Sequence, residues 1–263
     1  MRIVRFSPPA SAGLGSDPHF GVLNDQGEIL VIKGDPIYSG IVPTETKVAL
    51  EDVRLLAPVI PRSKVVCVGK NYADHAAEMN SVVPDEPIIF LKPNTSVIGP
   101  EEIIQWPAMA PSIDYEGELA IVISRICKDV PKEKYADVVY GYTIGNDVTS
   151  RELQKRDGQW MRAKSFDTFC PLGPWIETEF VPRSQRIETI VDGIVKQSEP
   201  ISSMIFDIPT IINFVSSVMT LLPGDVILTG TPAGIGPMGA GEKVQISIEG
   251  IGQLTNTVSA HGR

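Results

Sequence analysis

Long apolar runs are missing from this sequence. None approaches the roughly 18 residues that a membrane-spanning helix needs, and the N-terminus has no hydrophobic signal-peptide region. Histidine and cysteine are also scarce, with three of each among the 263 residues. So few histidines argue against a histidine-rich zinc site. The cysteines lie in apolar or proline-flanked segments, which is typical of buried thiols in a cytosolic protein and not of a disulfide set. We therefore expect a cytoplasmic protein without a membrane partner.

Positive charge is in deficit as well. The chain has 23 Lys and Arg against 32 Asp and Glu, a formal net charge of −9, which argues against nucleic acid or an anionic membrane as partner. An anionic substrate would therefore have to find local positive charge, from a metal and a few basic side chains. Hydrophobic residues make up 43% and charged residues 21%, as is usual for globular enzymes, and the length suffices for a full core.

Residues 1–60 have the pattern of a small β-rich domain. Short apolar runs between turn residues predict strands at Met1–Phe6, Phe20–Leu23 and Glu28–Ile32. Asp25-Gln26-Gly27 lies between the last two runs and predicts a hairpin turn. We interpret Pro43–Ala57 as a connector to the larger domain. We find no candidate catalytic residues in this segment.

Residues 61–263 alternate buried-type strands with few helices, which predicts an α+β fold that is mainly β. Asp192-Gly193 predicts a hairpin, and Val244–Glu249 and Leu254–Val258 predict an antiparallel pair. Asn71 is a suitable N-cap for a short helix, and residues 158–164 are interpreted as a loop or a short extended segment. The predicted helices are Tyr72–Met79, Lys132–Val139, Asp147–Lys155 and a long one within Ser202–Thr220 that starts near Asp207.

Two carboxylates at one predicted strand, and a third at the end of the next, form a candidate metal site. Glu116 and Glu118 lead into the aliphatic run Leu119–Ile123, and alternate side chains of a strand share a face. Two buried carboxylates are costly unless a cation lies between them, and the predicted strand contains no Lys or Arg. Asp147, which follows the strand Tyr140–Asn146, is the natural third ligand of a hard divalent cation. The alternative is a polar rim in which one Glu faces solvent.

The glycine-rich stretch Gly234–Gly239 matches the G-x-G-x-x-G pattern of dinucleotide-binding proteins. That fingerprint needs a helix directly after it, because the helix N-terminus holds the pyrophosphate. Here Pro237 interrupts the stretch and a strand is predicted after it, so we reject a dinucleotide site. The glycines more simply allow a tight turn or the close approach of backbone to a ligand.

Other polar residues fit the chemistry of a 2-oxo acid at such a metal. Three carboxylates fill half of an octahedron, which leaves positions for the carboxylate and keto oxygens of the acid. Lys164 would neutralise the enolate that forms when a bond to the third carbon breaks, and Arg151 would grip a carboxylate. His75, oriented by Glu78, would activate water or carry a proton. Taken singly, these residues and Gln154 also fit ordinary solvated helix and surface positions.

Over about residues 64 to 258, a series of motifs resembles the fumarylacetoacetate hydrolase family in order and spacing. The similarity is greatest to its short members, which include acylpyruvate hydrolases, oxaloacetate decarboxylases and 2-hydroxyhepta-2,4-diene-1,7-dioate isomerases. The motifs are Gly69–His75, Phe90–Pro93, Glu116–Glu118, Gly145–Arg151, Ala163–Ser165, Ser203–Phe206, Leu222–Asp225 and Thr229–Gly234.

The resemblance implies a mixed β-sheet and β-roll core, a homodimer, and Mg²⁺ or Mn²⁺ on Glu116, Glu118 and Asp147, with Ca²⁺ as a substitute in crystals. It also implies a closing lid, which we place at Asp74–Pro87. The roles that it implies are catalysis for His75, Glu78 and Lys164, and substrate binding for Arg151, Gln154 and Thr231. The long members that cleave fumarylacetoacetate have a fourth acidic ligand and a larger N-terminal barrel, and neither is identifiable here.

Together, these observations predict a divalent-metal-dependent enzyme that acts on a small 2-oxo dicarboxylate or acylpyruvate. Hydrolysis, decarboxylation and isomerisation all pass through an enolate at the metal, so the sequence leaves these three reactions open. The alternative from another class is a metal-stabilised dicarboxylate-binding protein without turnover. Binding alone would not need a base, so the presence of His75, Glu78 and Lys164 argues against this alternative.

Overall fold

Strands are the main regular structure of the described residues, because short aliphatic runs are separated by turns rich in glycine and proline. The computed structural model describes residues 1–79 and 82–262. Its strands, β1 to β19, are Arg2–Ser7, His19–Leu23, Glu28–Ile32, Pro43–Ala49, Arg54–Leu56, Val65–Gly69, Ile88–Lys92, Val97–Ile98, Ile103–Ile104, Asp114–Tyr115, Gly117–Ile123, Val139–Asn146, Cys170–Glu177, Arg186–Val191, Ile194–Pro200, Val226–Leu228, Gly236–Pro237, Lys243–Ile248 and Gly252–Val258. Its α-helices, α1 to α5, are Pro36–Ser39, Ala73–Glu78, Arg151–Asp157, Met161–Lys164 and Ile208–Val218.

A large mixed sheet organises the molecule. Its strand order is β4-β3-β2-β1-β13-β12-β11-β16-β6-β7, with β5 beside β1 and β8 beside β13. β6 pairs with β16 in parallel, whereas β11 and β12 are antiparallel. Every residue of β11 is buried, which explains its continuous aliphatic sequence. The predicted fold, α+β and mainly β with mixed sheets, is confirmed.

A second sheet, β15-β14-β18-β19-β9, packs against β11 and fixes which way its carboxylates point. A Cβ on Gly117 would lie 2.4 Å from Thr189 Oγ1 of β14 and 3.1 Å from Ile246 of β18, so only glycine allows the sheets to come this close. Because strand side chains alternate, Glu116 and Glu118 on either side of Gly117 point away from the second sheet. The predicted pairings β14–β15 and β18–β19 are confirmed.

The N-terminal strands extend the main sheet. β1 pairs with β13, with Ile3 opposite Ile176, and Ile3 is buried in a cluster that includes Leu172. The predicted hairpin between β2 and β3 is confirmed. The predicted connector Pro43–Ala57 is wrong, because it forms β4 and β5. β4 lies at the edge of the sheet and alternates exposed with partly buried residues, so it is too polar to stand out as a strand. The domain division at residue 60 stays a prediction.

The helices are shorter than the sequence indicated. The long helix α5 begins after Asp207, whose side chain accepts a hydrogen bond from Thr210 N at 2.9 Å, so the predicted start is confirmed while Ser202–Phe206 lie outside it. Lys132–Val138 forms a 3₁₀ helix. The predicted loop at residues 158–164 is wrong, because Met161–Lys164 is α4, and α3 begins at Arg151 and not at Asp147. No helix in the described ranges is long and apolar enough to cross a membrane.

The predicted capping role of Asn71 is wrong. α2 begins after Tyr72 and has no side-chain cap. Instead, the Asn71 amide donates to the carbonyl oxygens of Thr229 at 2.7 Å and Phe206 at 3.0 Å, and its oxygen accepts from Phe206 N at 2.7 Å. Asn71 therefore joins the start of α2 to two distant segments, a contact that local sequence cannot reveal.

Candidate active site

Three buried carboxylates meet where β11 begins and β12 ends. Gly117 lies opposite Asn146 in the antiparallel ladder, and Asp147 N donates to Glu116 O at 2.9 Å, so the two strands bring their acidic residues together. One carboxylate oxygen from each of Glu116, Glu118 and Asp147 lies within 4.8 Å of the others. All three side chains are buried, which excludes the alternative of a solvated polar rim. The predicted convergence of the three carboxylates is confirmed.

Cations from outside the strand partly neutralise this cluster. Lys164 Nζ lies 2.6 Å from Asp147 Oδ2 and 3.0 Å from Glu116 Oε2, and Lys92 Nζ lies 2.7 Å from Asp147 Oδ1. Arg151 pairs with Glu116 through Nη2 and with Asp114 through Nε, the latter at 3.1 Å. Since burial makes unpaired charge costly, these contacts explain how the cluster is tolerated inside the protein.

The two glutamates have opposite electrostatic environments. Burial, reinforced by the charges of Asp147 and Glu116, raises the pKa of Glu118 well above its ordinary value. Burial would raise the pKa of Glu116 too, but Lys164 and Arg151 outweigh it and lower that pKa. Among the described residues, no Lys or Arg forms an ion pair with Glu118, whose Oε2 accepts a hydrogen bond from Gly230 N at 2.6 Å. Glu118 is thus the carboxylate that most lacks a positive partner.

The donor set fits a hard divalent cation. Carboxylate oxygens are the ligands that Mg²⁺ and Mn²⁺ prefer, and three of them leave coordination positions for a substrate. Asp147 Oδ1 is buried and accepts no hydrogen bond of good geometry from the described residues, although the Lys92 ammonium lies close to it. A buried carboxylate oxygen of this kind, beside Glu118, which has no ion pair among the described residues, suits the binding of a cation. The predicted ligands Glu116, Glu118 and Asp147 therefore fit such a metal.

The predicted acid–base pair lies on α2. His75 Nδ1 is 3.2 Å from Glu78 Oε2, and the His75 side chain is buried although it belongs to a short surface helix. Gly234 N donates to both Glu78 oxygens, at 3.2 and 3.3 Å. The predicted proximity of His75 and Glu78 is confirmed. Their motion as a lid stays a prediction, and Asn80 and Ser81 of the segment Asp74–Pro87 lie outside the described residues.

The predicted substrate-binding residues are held by neighbouring side chains. Arg151 Nη1 donates to Gln154 Oε1 at 2.8 Å, which confirms that the two share a helix face. Gln197 Nε2 donates to Thr231 Oγ1 at 2.8 Å, so the Thr231 hydroxyl can direct its own hydrogen elsewhere. Gln197 Oε1 in turn accepts from Thr189 Oγ1 at 2.6 Å and from Gly117 N at 3.1 Å.

The glycine-rich segment Gly230–Gly239 supports the site through its backbone. Gly236–Pro237 forms β17, which pairs with β10, and the next element is the strand β18, so the prediction that a strand and not a helix follows the glycines is confirmed. Gly230 and Gly234 have φ values of 98° and 96°, a region that favours glycine. A Cβ on Gly234 would lie 2.1 Å from Lys196 O, and one on Gly230 would lie 2.7 Å from the Asn71 side chain. These glycines let backbone N–H groups reach Glu118 and Glu78.

A cavity of about 250 Å³ unites these groups. Every predicted site residue except Glu78, which contacts His75, lines it. Its apolar wall includes Phe90 and Trp160, whose rings meet edge to face at 5.3 Å, and Lys164 Nζ lies 4.9 Å above the Phe90 ring. The cavity therefore places a carboxylate cluster, basic side chains and a buried histidine around one small ligand volume.

Sequence reasoning missed three supporting residues. Lys92 is fully buried and donates to the carbonyl oxygens of Val148, at 3.2 Å, and Lys164, so it fixes the backbone on both sides of the carboxylates. Its position inside an apolar strand was the available signal. Asp114 and Gln197 gave no such signal, because their partners lie far away along the chain.

Comparisons with known proteins agree with this geometry. Residues 64–259 match the family model described as fumarylacetoacetate (FAA) hydrolase C-terminal, and residues 1–58 match the Rv2993c-like N-terminal model. The structure of 5-carboxymethyl-2-hydroxymuconate delta-isomerase from Mycobacterium smegmatis is 49% identical, with a TM-score of 0.90 over 99% of this chain and 100% of that one. Oxaloacetate tautomerase YisK of Bacillus subtilis is 42% identical over 224 residues, 80% of this chain and 74% of that protein.

A more distant structure is informative about ligands. Maleylpyruvate hydrolase from a Sphingobium species, solved in complex with manganese(II) ion and pyruvate, is 29% identical to this chain. Its TM-score is 0.81, over 99% of this chain and 100% of that one.

Proposed function

The chain belongs to the fumarylacetoacetate hydrolase family, and from this premise we propose that it is a divalent-metal-dependent enzyme acting on a small 2-oxo dicarboxylate. We propose proton transfer between carbon and oxygen, that is keto–enol tautomerisation or double-bond isomerisation, as its main reaction. The observation that carries the proposal is the buried triad Glu116, Glu118 and Asp147 in one cavity with Lys164 and His75. Support for proton transfer comes from the relatives named tautomerase and isomerase.

Glu116, Glu118 and Asp147 are the residues that would hold Mg²⁺ or Mn²⁺. When bound, such a cation supplies Lewis acidity toward the oxygens of a 2-oxo acid. The Sphingobium relative with manganese and pyruvate supports this assignment.

Lys164 stabilises the negative charge that develops on the substrate oxygen. Burial alone would lower its pKa, but Asp147 and Glu116 outweigh burial and raise it, so the ammonium stays charged at neutral pH. Its Nζ also donates to Thr149 Oγ1 at 2.8 Å, which helps to hold the side chain in place. A fixed, desolvated cation of this kind is effective because no solvent has to reorganise during the reaction.

His75 moves the proton. When Nδ1–H is donated to Glu78, Nε2 is the nitrogen that takes a proton from the third carbon of the substrate or returns one. Glu78 itself is held by Gly234 N, so the orientation of the imidazole depends on the glycine-rich loop. A protein that only bound dicarboxylates would gain nothing from this arrangement, which disfavours the non-catalytic alternative.

Arg151, Gln154 and Thr231 orient the substrate in this proposal. The Gln154 oxygen is taken by Arg151, which leaves the amide N–H groups as donors, and Thr231 offers its hydroxyl hydrogen. Donors of this kind suit the carboxylate and keto oxygens of a 2-oxo acid. We also propose that the chain forms a homodimer, as the resemblance to the family implies.

The test is a substrate panel with Mg²⁺ and with Mn²⁺. Oxaloacetate tautomerisation is followed by enol absorbance, and deuterium exchange at the third carbon of oxaloacetate and pyruvate is followed by NMR. Acetylpyruvate and fumarylpyruvate report C–C hydrolysis, and released CO₂ reports decarboxylation. We expect metal-dependent exchange and tautomerisation to be the fastest reactions. Binding without any exchange would favour the binding-protein alternative, and faster hydrolysis or CO₂ release would overturn the proposed reaction.

A further inference from the structure

With a divalent cation bound, the carboxylate cluster has enough positive charge to balance only one carboxylate of a substrate. Glu116, Glu118, Asp147 and Asp114 face Lys92, Arg151 and Lys164, so four carboxylates meet three basic groups. Addition of a divalent cation leaves one net positive charge, which matches a single carboxylate. Arg151 has few donors left for a second one, because its contacts with Asp114, Gln154 and Glu116 leave two of the five N–H groups of a guanidinium.

Two further lysines, Lys70 and Lys155, line the same cavity. Lys155 lies on α3, is exposed, and makes no ion pair within the described part of the chain. Lys70 follows β6 and is partly buried. Trp160, which lies between α3 and α4, joins the two regions. Its ring packs so tightly on Gly69 that a Cβ on Gly69 would lie 2.6 Å from the nearest ring atom. The two lysines therefore come from separate segments of the chain that both border the cavity and are joined by the contact between Gly69 and Trp160.

The backbone at Lys70 is held in a conformation that lysine does not favour. Its φ is 57°, in the left-handed region where glycine and asparagine are tolerated best. The turn cannot relax easily, since Gly69 packs on Trp160 and the Asn71 side chain is bonded to Thr229 and Phe206. Backbone conformations of this kind cluster at ligand and active sites, which makes Lys70, beside the cavity, a candidate ligand-binding residue.

We infer that Lys70 and Lys155 form the subsite for the distal carboxylate of a 2-oxo dicarboxylate in this cavity. This inference rests on the proposed function, because it assumes that the 2-oxo acid end lies at Glu116, Glu118 and Asp147. It adds the source of selectivity: the enzyme uses these two lysines to distinguish 2-oxo dicarboxylates from the 2-oxo monocarboxylates that lack only the distal carboxylate. Two cations at this position also attract a dianion to a protein whose net charge is −9.

The experiment compares two ligands that differ only in the distal carboxylate, 2-oxoglutarate and 2-oxobutyrate. Their dissociation constants are measured by calorimetry on the Mn²⁺-loaded protein and on its Lys155→Met and Lys70→Asn variants. We expect the wild type to prefer 2-oxoglutarate at least tenfold. Each variant should weaken 2-oxoglutarate about tenfold, the usual effect of losing one charged hydrogen bond, and should leave 2-oxobutyrate within twofold.

The matched control is Arg156→Met, which removes one positive charge from the same helix at an exposed position outside the cavity lining. It should change neither dissociation constant by more than twofold. If Arg156→Met weakens 2-oxoglutarate as much as Lys155→Met does, the effect is general electrostatics and the subsite is overturned. Equal losses for both ligands in the lysine variants would overturn it as well.

Thermal unfolding of Lys70→Asn separates binding from structure. Asparagine adopts the left-handed conformation more readily than lysine, so the variant should melt at the same temperature as the wild type or higher. A lower melting temperature with unchanged selectivity would show that Lys70 serves the fold, and would overturn its part in the subsite. Failure of the proposed function has a different signature, because then neither acid binds in the presence of metal.

Discussion

At the scale of single residues, Glu118 links the protein's stability to pH. Its pKa is raised in the folded protein, so its contribution to stability is complete below the unfolded pKa near 4.5 and is lost as the pH rises through the folded pKa. Glutamine has the shape of glutamate but no charge, so it removes this loss of stability at high pH. We therefore expect Glu118→Gln, measured in EDTA, to melt higher than the wild type at pH 8 and to melt close to it at pH 4.

The metal response of the same variant completes this prediction. Mn²⁺ should raise the melting temperature of the wild type at pH 8, because a ligand that binds only the folded state stabilises it. It should raise that of Glu118→Gln much less, since one of three carboxylate ligands is gone. An equal metal response in both proteins would contradict the assignment of Glu118 as a ligand.

Lys164 and His75 should affect different reactions of one substrate. Charge on the substrate oxygen develops in every reaction, so Lys164→Ala should reduce both tautomerisation and decarboxylation of oxaloacetate, by about 10²–10³-fold. His75 acts only where a proton moves, so His75→Ala should reduce tautomerisation by about 10²–10⁴-fold and decarboxylation less. Both rates are measured on each Mn²⁺-loaded variant.

The control for this comparison is the folded state. Lys164 is buried between two carboxylates, and breaking a buried ion pair costs about 3–5 kcal/mol, so rates are compared only after thermal melts show a folded protein. Equal losses of both reactions in His75→Ala would show that the histidine acts in some way other than proton transfer.

At the scale of elements, the glycine-rich loop controls the acid–base pair. Gly234→Ala would push a Cβ against Lys196 O and displace the N–H that holds Glu78. We expect a loss of about 1–3 kcal/mol in the free energy of unfolding and a fall in kcat for tautomerisation. Gly241→Ala is the matched control, because Gly241 has a similar φ of 83° and nothing within 4 Å of its Cβ position. Similar kcat values for the two variants would refute the loop's role.

The metal triad and several elements of the fold could be predicted from the sequence. The metal triad was predictable because strand alternation and two successive strands place Glu116, Glu118 and Asp147 together. Hairpins and the start of α5 were predictable because their signals are local. The connector at Pro43–Ala57 was misread because an edge strand carries polar residues on its open side.

Residues that support the site through distant contacts were not predictable. Asn71 has the sequence position of a helix N-cap but instead bonds to Thr229 and Phe206. Gln197 of β15 donates a hydrogen bond to Thr231, which is distant along the chain. Lys92 lies in a motif that the sequence singled out, but its contacts with Asp147 and Lys164 exist only once three segments are folded together. Local patterns thus reveal ligands that share a strand, and tertiary structure is needed for the residues that hold them.

At the scale of the whole molecule, the N-terminal strands and the catalytic part should unfold together. Ile3 is fully buried in a cluster shared with Val65 and Leu172, so Ile3→Ala should cost about 2–5 kcal/mol and lower one common melting temperature. Circular dichroism and tryptophan fluorescence should give coincident transitions. Ile194→Ala, at a side chain that is 59% exposed, is the control and should change little. Two transitions, with only the first one shifted, would argue for independent domains.

The pairing of β1 with β13 has a consequence for synthesis on the ribosome. β1 leaves the ribosome long before its partner β13, because Ile3 pairs with Ile176, which is synthesised much later. During this interval β2 covers one side of β1, and β5 covers the stretch from Arg5 to Ser7 on the other. Only the short start of β1 stays open to intermolecular pairing while the rest of the chain is made. We therefore expect the three-residue strand β5 to protect β1 from intermolecular pairing until β13 has been made.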